Sequence, residues 1–166
     1  MVIAMITKEK ILDILNEVMD PEVPVLSVID LGIVRNVKVD NAEIEVFITP
    51  TYSGCPAMDV IRNNIKSCLE QHGYKNFHVT TELSPAWTTD WMTESGKEKL
   101  KAFGIAPPNP KQLVCHPGLF QEEEAIQCPL CQSFNTKLIS RFGSTPCKAL
   151  YKCNNCHEPF DYFKCH

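Results

Sequence analysis

The chain has 166 residues, of which 44% are hydrophobic, so it can form one domain of ordinary size and a small second module. Its formal net charge of -4 is uneven, because residues 1–127 carry 11 basic and 18 acidic side chains, whereas residues 128–166 carry 5 and 2. This acidic body disfavours nucleic-acid binding, which depends on clustered Lys and Arg, and we expect no nucleic-acid partner.

Hydrophobic periodicity and turn residues predict alternating helices and strands over the first two thirds of the chain. Thr7 is a suitable N-cap for the first helix, and Pro21 ends it, because a residue before proline is pushed out of the helical region. Asp40 and Asn41 suit a hairpin turn between two β-rich segments. The predicted elements are, approximately, a helix over 7–19, strands over 33–39 and 42–49, a helix from 56 to 73, a strand over 77–83 and a helix over 90–103.

These elements predict an α+β fold. We expect a small domain over residues 1–105, in which a hairpin and a crossover strand form a mixed sheet packed on two helices. Residues 106–127 are expected to be a linker, since residues 106–110 read Ala-Pro-Pro-Asn-Pro and are stiff. Residues 128–166 then form a second, smaller module.

The second module contains two Cys-x-x-Cys pairs, formed by Cys128, Cys131, Cys153 and Cys156 and separated by 21 residues. Each pair places two thiolates on one tight turn, and two such turns complete a tetrahedral sulfur cage for structural zinc. The pattern predicts a zinc ribbon. The alternative is that these are coincidental disulfides or buried thiols.

Further soft ligands lie in the same segment: Cys147, Cys165 and His166. They are either spare core cysteines, a second metal site, or ligands that accept a cluster, because thiolates suit zinc and iron–sulfur clusters alike. The ribbon is small, so we expect its aromatic residues to form its core around the metal. These residues are Phe142, Tyr151, Phe160, Tyr162 and Phe163.

The nine cysteines of the chain are expected to be reduced, metal-bound or reactive. The first ten residues show a short apolar stretch without the basic region of a signal peptide, and no later apolar run approaches the ~18 residues that cross a bilayer. We therefore predict a cytoplasmic protein without a membrane partner.

Cys55 is a candidate reactive thiol. Pro56 suits the first turn of a helix, so Cys55 sits where free backbone N–H groups and the helix dipole stabilise a thiolate. Gly54 allows close approach of the backbone, and Thr51 and Ser53 add hydroxyl donors. The alternative is a cysteine that only packs in a tight turn, as we expect for Cys68 on the apolar face of the same helix.

Asp20 and Glu22 flank Pro21 in the loop after the first helix. Acids in such a position are ordinarily solvated turn residues. They can also approach Cys55 from a separate element, and sequence spacing does not choose between these two interpretations.

Three of these motifs together resemble the small domain family that includes the iron–sulfur assembly protein SufT and its eukaryotic cytosolic counterparts. The motifs are residues 20–24 (Asp-Pro-Glu-Val-Pro), 30–34 (Asp-Leu-Gly-Ile-Val) and 49–56 (Thr-Pro-Thr-Tyr-Ser-Gly-Cys-Pro). Over essentially the whole chain, the sequence resembles the PaaD family (also called PaaJ), whose members belong to bacterial phenylacetyl-CoA epoxidase systems. The segments that carry this second resemblance are residues 85–92, 104–108, 143–151 and 158–166, with the cysteine pairs.

The resemblance implies an accessory protein of aerobic phenylacetate breakdown. Its partners would be the oxygenase and reductase components of the epoxidase system, and a homodimer stays open. Its role would be to help place an iron–sulfur cluster in the reductase, or iron in the oxygenase. Cys55 would then be the reactive or cluster-contacting residue, with Asp20, Glu22 and Thr51 lining its site, and a transient iron–sulfur cluster would join zinc as a cofactor.

Two other functions are also compatible with the sequence. The chain is either a non-catalytic docking component that acts through its ribbon, or a thiol enzyme in which Cys55 attacks a thioester. The second interpretation lacks a base, because His72 and His78 lie on other predicted elements.

Overall fold

The structure is a computed structural model that describes residues 6–41, 43–108 and 126–164. It divides into two compact units. The first runs to Trp87 and includes residues 91–93, and the second comprises residues 88–90 and the chain from Glu94 onward. Each unit is described by itself below.

The first unit is a three-stranded mixed sheet with two helices, as the sequence predicts. The elements of this unit are α1 (Lys8–Leu15), β1 (Val34–Asp40), β2 (Glu43–Ile48), α2 (Ala57–Gln71) and β3 (Phe77–Thr81). The central strand β2 pairs antiparallel with β1 and parallel with β3, so α2 forms the crossover that a parallel pair requires.

Helix α1 begins as predicted and ends one turn early. The Oγ1 atom of Thr7 accepts a hydrogen bond from the Lys10 amide at 3.3 Å, which confirms the predicted N-cap. The helix ends at Leu15 rather than near Met19. Met19 instead pairs with Ser27 in an isolated antiparallel bridge, which draws the chain away from the helix axis.

The core of the first unit lies on β2. Ile44, Val46 and Ile48 are fully buried, as their alternation predicts. Phe47 on the opposite face is also buried, at 8% exposed, and the ammonium group of Lys38 lies 4.6 Å from the centre of its ring. A cation over an aromatic face is favourable, so the second face of the strand is partly covered as well.

The second unit contains a helix and a four-stranded sheet. The elements are α3 (Glu94–Ala102), β4 (Ile105–Ala106), β5 (Thr136–Ser140), β6 (Lys148–Cys153) and β7 (Pro159–Phe163). The strand order in the sheet is β4-β7-β6-β5. A 3₁₀ turn (Thr89–Trp91) precedes α3, so the predicted single helix over 90–103 is a 3₁₀ turn followed by a shorter α-helix.

Strand β4 lies at the predicted boundary between the domain and the linker. Ile105 pairs with Asp161 and Ala106 with Tyr162, both in a parallel register. These two residues thus belong to the ribbon sheet, although the prediction assigns residue 105 to the first domain and begins the linker at 106. Most of the predicted linker, residues 109–125, lies outside the described residues.

The aromatic core of the ribbon matches the prediction at four positions and differs at one. Tyr151, Phe160, Tyr162 and Phe163 are buried, and Tyr151 stacks on Phe160 with ring centres 5.9 Å apart. Phe142 is 68% exposed, and the prediction that it lies in the core is wrong. The ammonium group of Lys164 lies 4.7 Å from the Phe142 ring, an arrangement that is compatible with exposure to solvent.

Within residues 6–41, 43–108 and 126–164, the structure contains no helix that is both long enough and apolar enough to cross a membrane.

Gly32 permits close contact between two backbone segments of the first unit. Its φ is +67°, and a Cβ atom at this position would lie 2.2 Å from the carbonyl oxygen of Trp91. The same contact region is fixed by hydrogen bonds, because the Thr93 amide donates to the Asp30 carbonyl and the Trp87 indole donates to the Leu31 carbonyl, both at 2.9 Å. Only glycine fits this position without displacing the backbone.

We expect Gly32→Ala to lower the free energy of unfolding by about 3 kcal/mol, because a left-handed alanine costs ~1–2 kcal/mol and the clash with backbone atoms adds to it. Gly73→Ala is the matched control: φ is +85° and no atom lies within 4 Å of the added Cβ. The control should lose about 1 kcal/mol. Denaturant unfolding of both variants measures the difference, and equal losses would contradict the close-contact explanation.

Candidate metal centre and thiol loop

Two similar turns hold the four cysteines of the ribbon. Cys128 and Cys131 lie in the turn before β5, while Cys153 ends β6 and Cys156 lies in the turn that leads to β7. In both turns, the residue after the second cysteine has a positive φ, 62° at Gln132 and 65° at His157. This left-handed residue turns the backbone back on itself, so that both sulfur atoms of each pair point to the same side.

Hydrogen bonds between asparagine residues join the two turns. The Asn154 amide donates to the Asn135 carbonyl at 2.8 Å, and the Asn154 side chain donates to the Asn135 side chain at 2.9 Å. The Asn135 side chain in turn donates to that of Asn155 at 3.1 Å. The two cysteine pairs are therefore held together by bonds other than those to a metal.

The four sulfur atoms have the spacing of a tetrahedral zinc site. All four lie within 4.8 Å of one another, with 3.8 Å between the Sγ atoms of Cys128 and Cys156 and 3.4 Å between those of Cys131 and Cys153. A tetrahedron with Zn–S bonds of ~2.3 Å has edges of about 3.8 Å. The donor set and its geometry therefore fit zinc.

Backbone N–H groups, burial and neighbouring thiols make the pKa values of these thiols unequal. The pKa of Cys153 is lowered to about 6, first by the backbone N–H of Cys156 and also by that of Asn155. The backbone N–H at Glu158 lowers the pKa of Cys156, but burial and the neighbouring thiols outweigh this effect and raise it to about 12. Cys153 thus favours the thiolate form, while Cys156 resists a second negative charge. A divalent cation removes this conflict, because it replaces the thiol protons.

Cys147 stands apart from this centre. It is buried, its Sγ lies 3.0 Å from Oγ1 of Thr145, and it is not part of the four-sulfur group. The other two candidate ligands, Cys165 and His166, lie outside the described residues.

Cys55 lies in the loop between β2 and α2. It is half-buried, and its amide donates to the Tyr52 carbonyl at 3.2 Å, while its own carbonyl accepts from the Met58 amide at 3.3 Å. Helix α2 begins at Ala57, so Cys55 comes directly before the cap residue, Pro56. The contact between this thiol and the N–H groups of the first helical turn stays a prediction.

Gly54 leaves space beside this thiol. Its φ is +80°, and no atom lies within 4 Å of a Cβ built at this position. Thr51 belongs to the same loop and is half-buried. The loop can therefore be approached closely from outside.

Asp20 shapes a different loop, the one after α1. It is 8% exposed, and its Oδ1 atom accepts hydrogen bonds from the amides of Glu22 at 2.8 Å and Val23 at 2.7 Å. The residue is thus a buried turn-forming group rather than the solvated acid that the sequence suggests as one alternative. Its convergence with Glu22 and Thr51 on Cys55 stays a prediction.

Asp30 has a structural role that sequence patterns do not reveal. This buried carboxylate accepts the Ser27 amide at 3.1 Å through Oδ2 and the Thr93 hydroxyl at 3.1 Å through Oδ1. It therefore joins the loop before β1 to a segment more than 60 residues later. The Asp-Leu-Gly motif marks the position, but nothing in the sequence indicates its distant partner.

Two family models match separate parts of the chain. A family described as "Iron-sulfur cluster assembly protein" matches residues 8–74, and a family described as "PaaD zinc beta ribbon domain" matches residues 115–164. A solved structure from Bacillus anthracis, described as a domain of unknown function (DUF59), has a TM-score of 0.53 and 27% identity, covering 56% of this chain and 90% of that one. The fold and site thus define a protein in which a domain of the iron–sulfur assembly family precedes a zinc ribbon.

Comparison with individual proteins identifies the family within this class. The chain is 48% identical to an Escherichia coli protein described as a subunit of a "Putative 1,2-phenylacetyl-CoA epoxidase", over 152 residues, which are 92% of this chain and 89% of that protein. It is also 35% identical to "Fe-S protein maturation auxiliary factor" of Porphyromonas gingivalis over 57% of this chain and 90% of that protein. The chain therefore belongs to the PaaD family, that of the Escherichia coli epoxidase protein.

Loss of one ribbon ligand should remove the metal. We expect Cys153→Ser to reduce bound zinc from about one per chain to about zero, because three thiolates cannot complete the structural site. Cys147→Ser is the matched control, a buried ribbon cysteine outside the four-sulfur group, and it should keep the metal. Metal analysis of reduced, desalted protein measures both, and zinc retained by Cys153→Ser would contradict the assignment.

The structural role of Asp20 can be separated from a role at Cys55. Asp20→Ala should cost about 1–3 kcal/mol of unfolding free energy, since it leaves two amides without their acceptor. Asp20→Asn keeps an oxygen at Oδ1 and should lose less than about 1 kcal/mol. Chemical denaturation of both variants tests this order, and equal destabilisation would show that the charge, not the acceptor, holds the turn.

Proposed function

We propose that this chain is an accessory protein that assists iron–sulfur cluster assembly, or iron insertion, in a phenylacetyl-CoA epoxidase system. The observation that carries this proposal is its 48% identity to the Escherichia coli epoxidase protein over 92% of the chain. The similarity of its first unit to iron–sulfur maturation factors supports a role in iron–sulfur cluster assembly. The recipients would be the reductase, for a cluster, and the oxygenase, for iron.

Cys55 is the residue to which we assign contact with the cargo. A single thiol that is half-buried, placed before a helix N-terminus and next to open space at Gly54 suits a transient ligand. It leaves the other coordination positions of an iron atom to other groups, unlike the closed four-cysteine centre of the ribbon. Asp20, Glu22 and Thr51 are proposed to line the same site.

Transfer would then proceed by ligand exchange. A thiolate of the recipient approaches past Gly54 and forms a bond to iron as the iron–sulfur bond of Cys55 breaks. The Cys55 sulfur leaves as a thiolate and takes a proton from solvent, so no electron changes place and no further reactant is required. The zinc of the ribbon takes no part in this exchange, because its four ligands are all thiolates of the chain.

One observation favours docking through the ribbon as a second candidate function. Four apolar side chains of this module are more than half exposed: Leu130, Phe134, Ile139 and Phe142. Exposed apolar surface is a feature of contact sites between proteins. In this alternative, Cys55 is structural and the ribbon binds the oxygenase or the reductase.

The third alternative, a thiol enzyme that acts on a thioester, has less support. Among the residues that the structure describes, the two histidines of the first unit are engaged elsewhere. His72 lies 3.1 Å from Glu17 and His78 lies 3.3 Å from Glu43. A stoichiometric adduct between Cys55 and a small thioester would restore this interpretation.

The assembly role predicts a specific failure of Cys55→Ser. The variant should fold and keep the ribbon zinc, since Cys55 lies in a half-buried loop of the other unit. The epoxidase and reductase produced with this variant should show the low activity and low iron and sulfide content found when the chain is absent. Asn63→Ala, which removes an exposed amide on α2 outside the loop, is the control and should support full assembly.

Three outcomes separate the candidate functions. Wild-type activity with Cys55→Ser would overturn the assembly role as drawn here. If Cys55→Ser supports epoxidase activity but replacing Leu130 and Phe134 by Asp abolishes it while the zinc is retained, the chain acts by docking. Phenylacetyl-CoA turnover by the isolated chain, abolished in Cys55→Ser, would identify a thiol enzyme.

A further inference from the structure

A second group of metal-ligating side chains lies in the first unit. It consists of Glu17, Cys68 and His72, whose carboxylate oxygen, sulfur and ring nitrogen all lie within 4.8 Å of one another. The sequence places Cys68 in the core, but the structure leaves it only half-buried. The proposed function uses none of these three residues.

Packing between two helices brings these side chains together. Cys68 and His72 are four residues apart at the end of α2, so they project from the same face about one turn apart. Glu17 follows the end of α1, which packs against α2. The Cys68 sulfur lies 3.5 Å from the Ile14 carbonyl, which fixes the thiol side of the group against α1.

The donor set and its spacing suit a borderline-soft divalent ion. Nε2 of His72 lies 3.1 Å from Oε2 of Glu17. Tetrahedral zinc with nitrogen and oxygen ligands at ~2.0–2.1 Å requires an edge of about 3.3 Å, close to this distance. Thiolate, imidazole and carboxylate are all ligands of zinc-class transition metals.

The local electrostatics favour a cation. Helices α1 and α2 both have no basic residue in the last turn, although the end of a helix carries partial negative charge. On binding, a divalent ion would displace the thiol proton of Cys68 to solvent, and one thiolate and one carboxylate would balance its charge.

An ion pair between His72 and Glu17 accounts for these two residues but not for the Cys68 thiol beside them. His78 and Glu43 form a comparable pair at 3.3 Å on the sheet, and no cysteine of the described residues belongs to that pair. In the helical group, by contrast, a thiol lies beside both partners. The side chains of His72 and Glu17 are 37% and 62% exposed, so an ion can enter from solvent and a water can complete the coordination.

We propose that Glu17, Cys68 and His72 form a second metal site, distinct from the four-cysteine centre, which binds a zinc-class divalent ion through three protein ligands and one exchangeable position. The site does not depend on the assembly role proposed above. Its open position distinguishes it from the ribbon centre, where four thiolates of the chain complete the shell.

Cobalt(II) tests this site directly, because a Co–thiolate bond gives a charge-transfer band and tetrahedral Co(II) absorbs in the visible region. Full-length reduced protein with zinc in the ribbon is mixed with one equivalent of Co²⁺ and desalted. About one cobalt per chain should remain, with the zinc still present and a spectrum of single-thiolate coordination. Cys68→Ser should abolish the charge-transfer band, and His72→Gln should release the cobalt.

Two matched controls identify the ligands. His78→Ala removes the comparable histidine of the sheet ion pair and should keep cobalt and spectrum. Cys55→Ser removes the thiol assigned to the cargo, so it shows which of the two thiols of the first unit gives the band, and the band should persist. His72 lies at the exposed end of α2, so its variant reports on binding even if Cys68→Ser fails to fold. Wild-type protein without retained cobalt, cobalt that displaces the ribbon zinc, or a band that is lost in Cys55→Ser would overturn the proposal.

Discussion

Four thiols within 4.8 Å of one another set the main constraint on the ribbon. Without a cation, they cannot all ionise, and with one they become the strongest contact in a module of about 40 residues. Among the described residues, the buried cluster of this unit includes Cys128 and Cys153, which are themselves ligands. The aromatic residues of β6 and β7 continue the same core, so sheet and metal centre stabilise each other.

The thiol loop depends on a different kind of support. Cys55 lies between β2, whose inward side chains are fully buried, and α2, whose apolar face includes the buried residues Ile61 and Ile65. Apolar packing of the crossover unit positions the loop. In the proposed role, the four cysteines of the ribbon complete one coordination shell, whereas Cys55 supplies a single ligand and leaves the other positions to exchange.

Several features are predictable from the sequence, because they depend on interactions between residues a few positions apart in the chain. Thr7 caps α1 through an amide three residues away, and Cys128 and Cys131 define a tight turn by their spacing alone. The mixed sheet follows from the order of apolar runs. The metal centre follows as well, since the chemistry of four cysteines is independent of the path between them.

Features that depend on distant partners are not predictable in this way. The early end of α1 depends on the bridge between Met19 and Ser27, and β4 is recognisable only once β7 is present beside it. The approach of Glu17 to Cys68 and His72 depends on how α1 packs on α2. Asp20 resembles an ordinary surface acid until its burial and its two amide partners are known.

The short strand β4 has a consequence for the integrity of the ribbon sheet. It pairs with β7 only at Asp161 and Tyr162, and among the strands that the structure describes, β7 would otherwise be the edge of the sheet. A fragment that begins at residue 115, where the match to the ribbon family begins, would lack this cover. Unpaired N–H and C=O groups at a sheet edge recruit strands from other molecules. An excised ribbon would therefore tend to aggregate through β7 even with its metal in place, and the residues before the family boundary act as protection against such association.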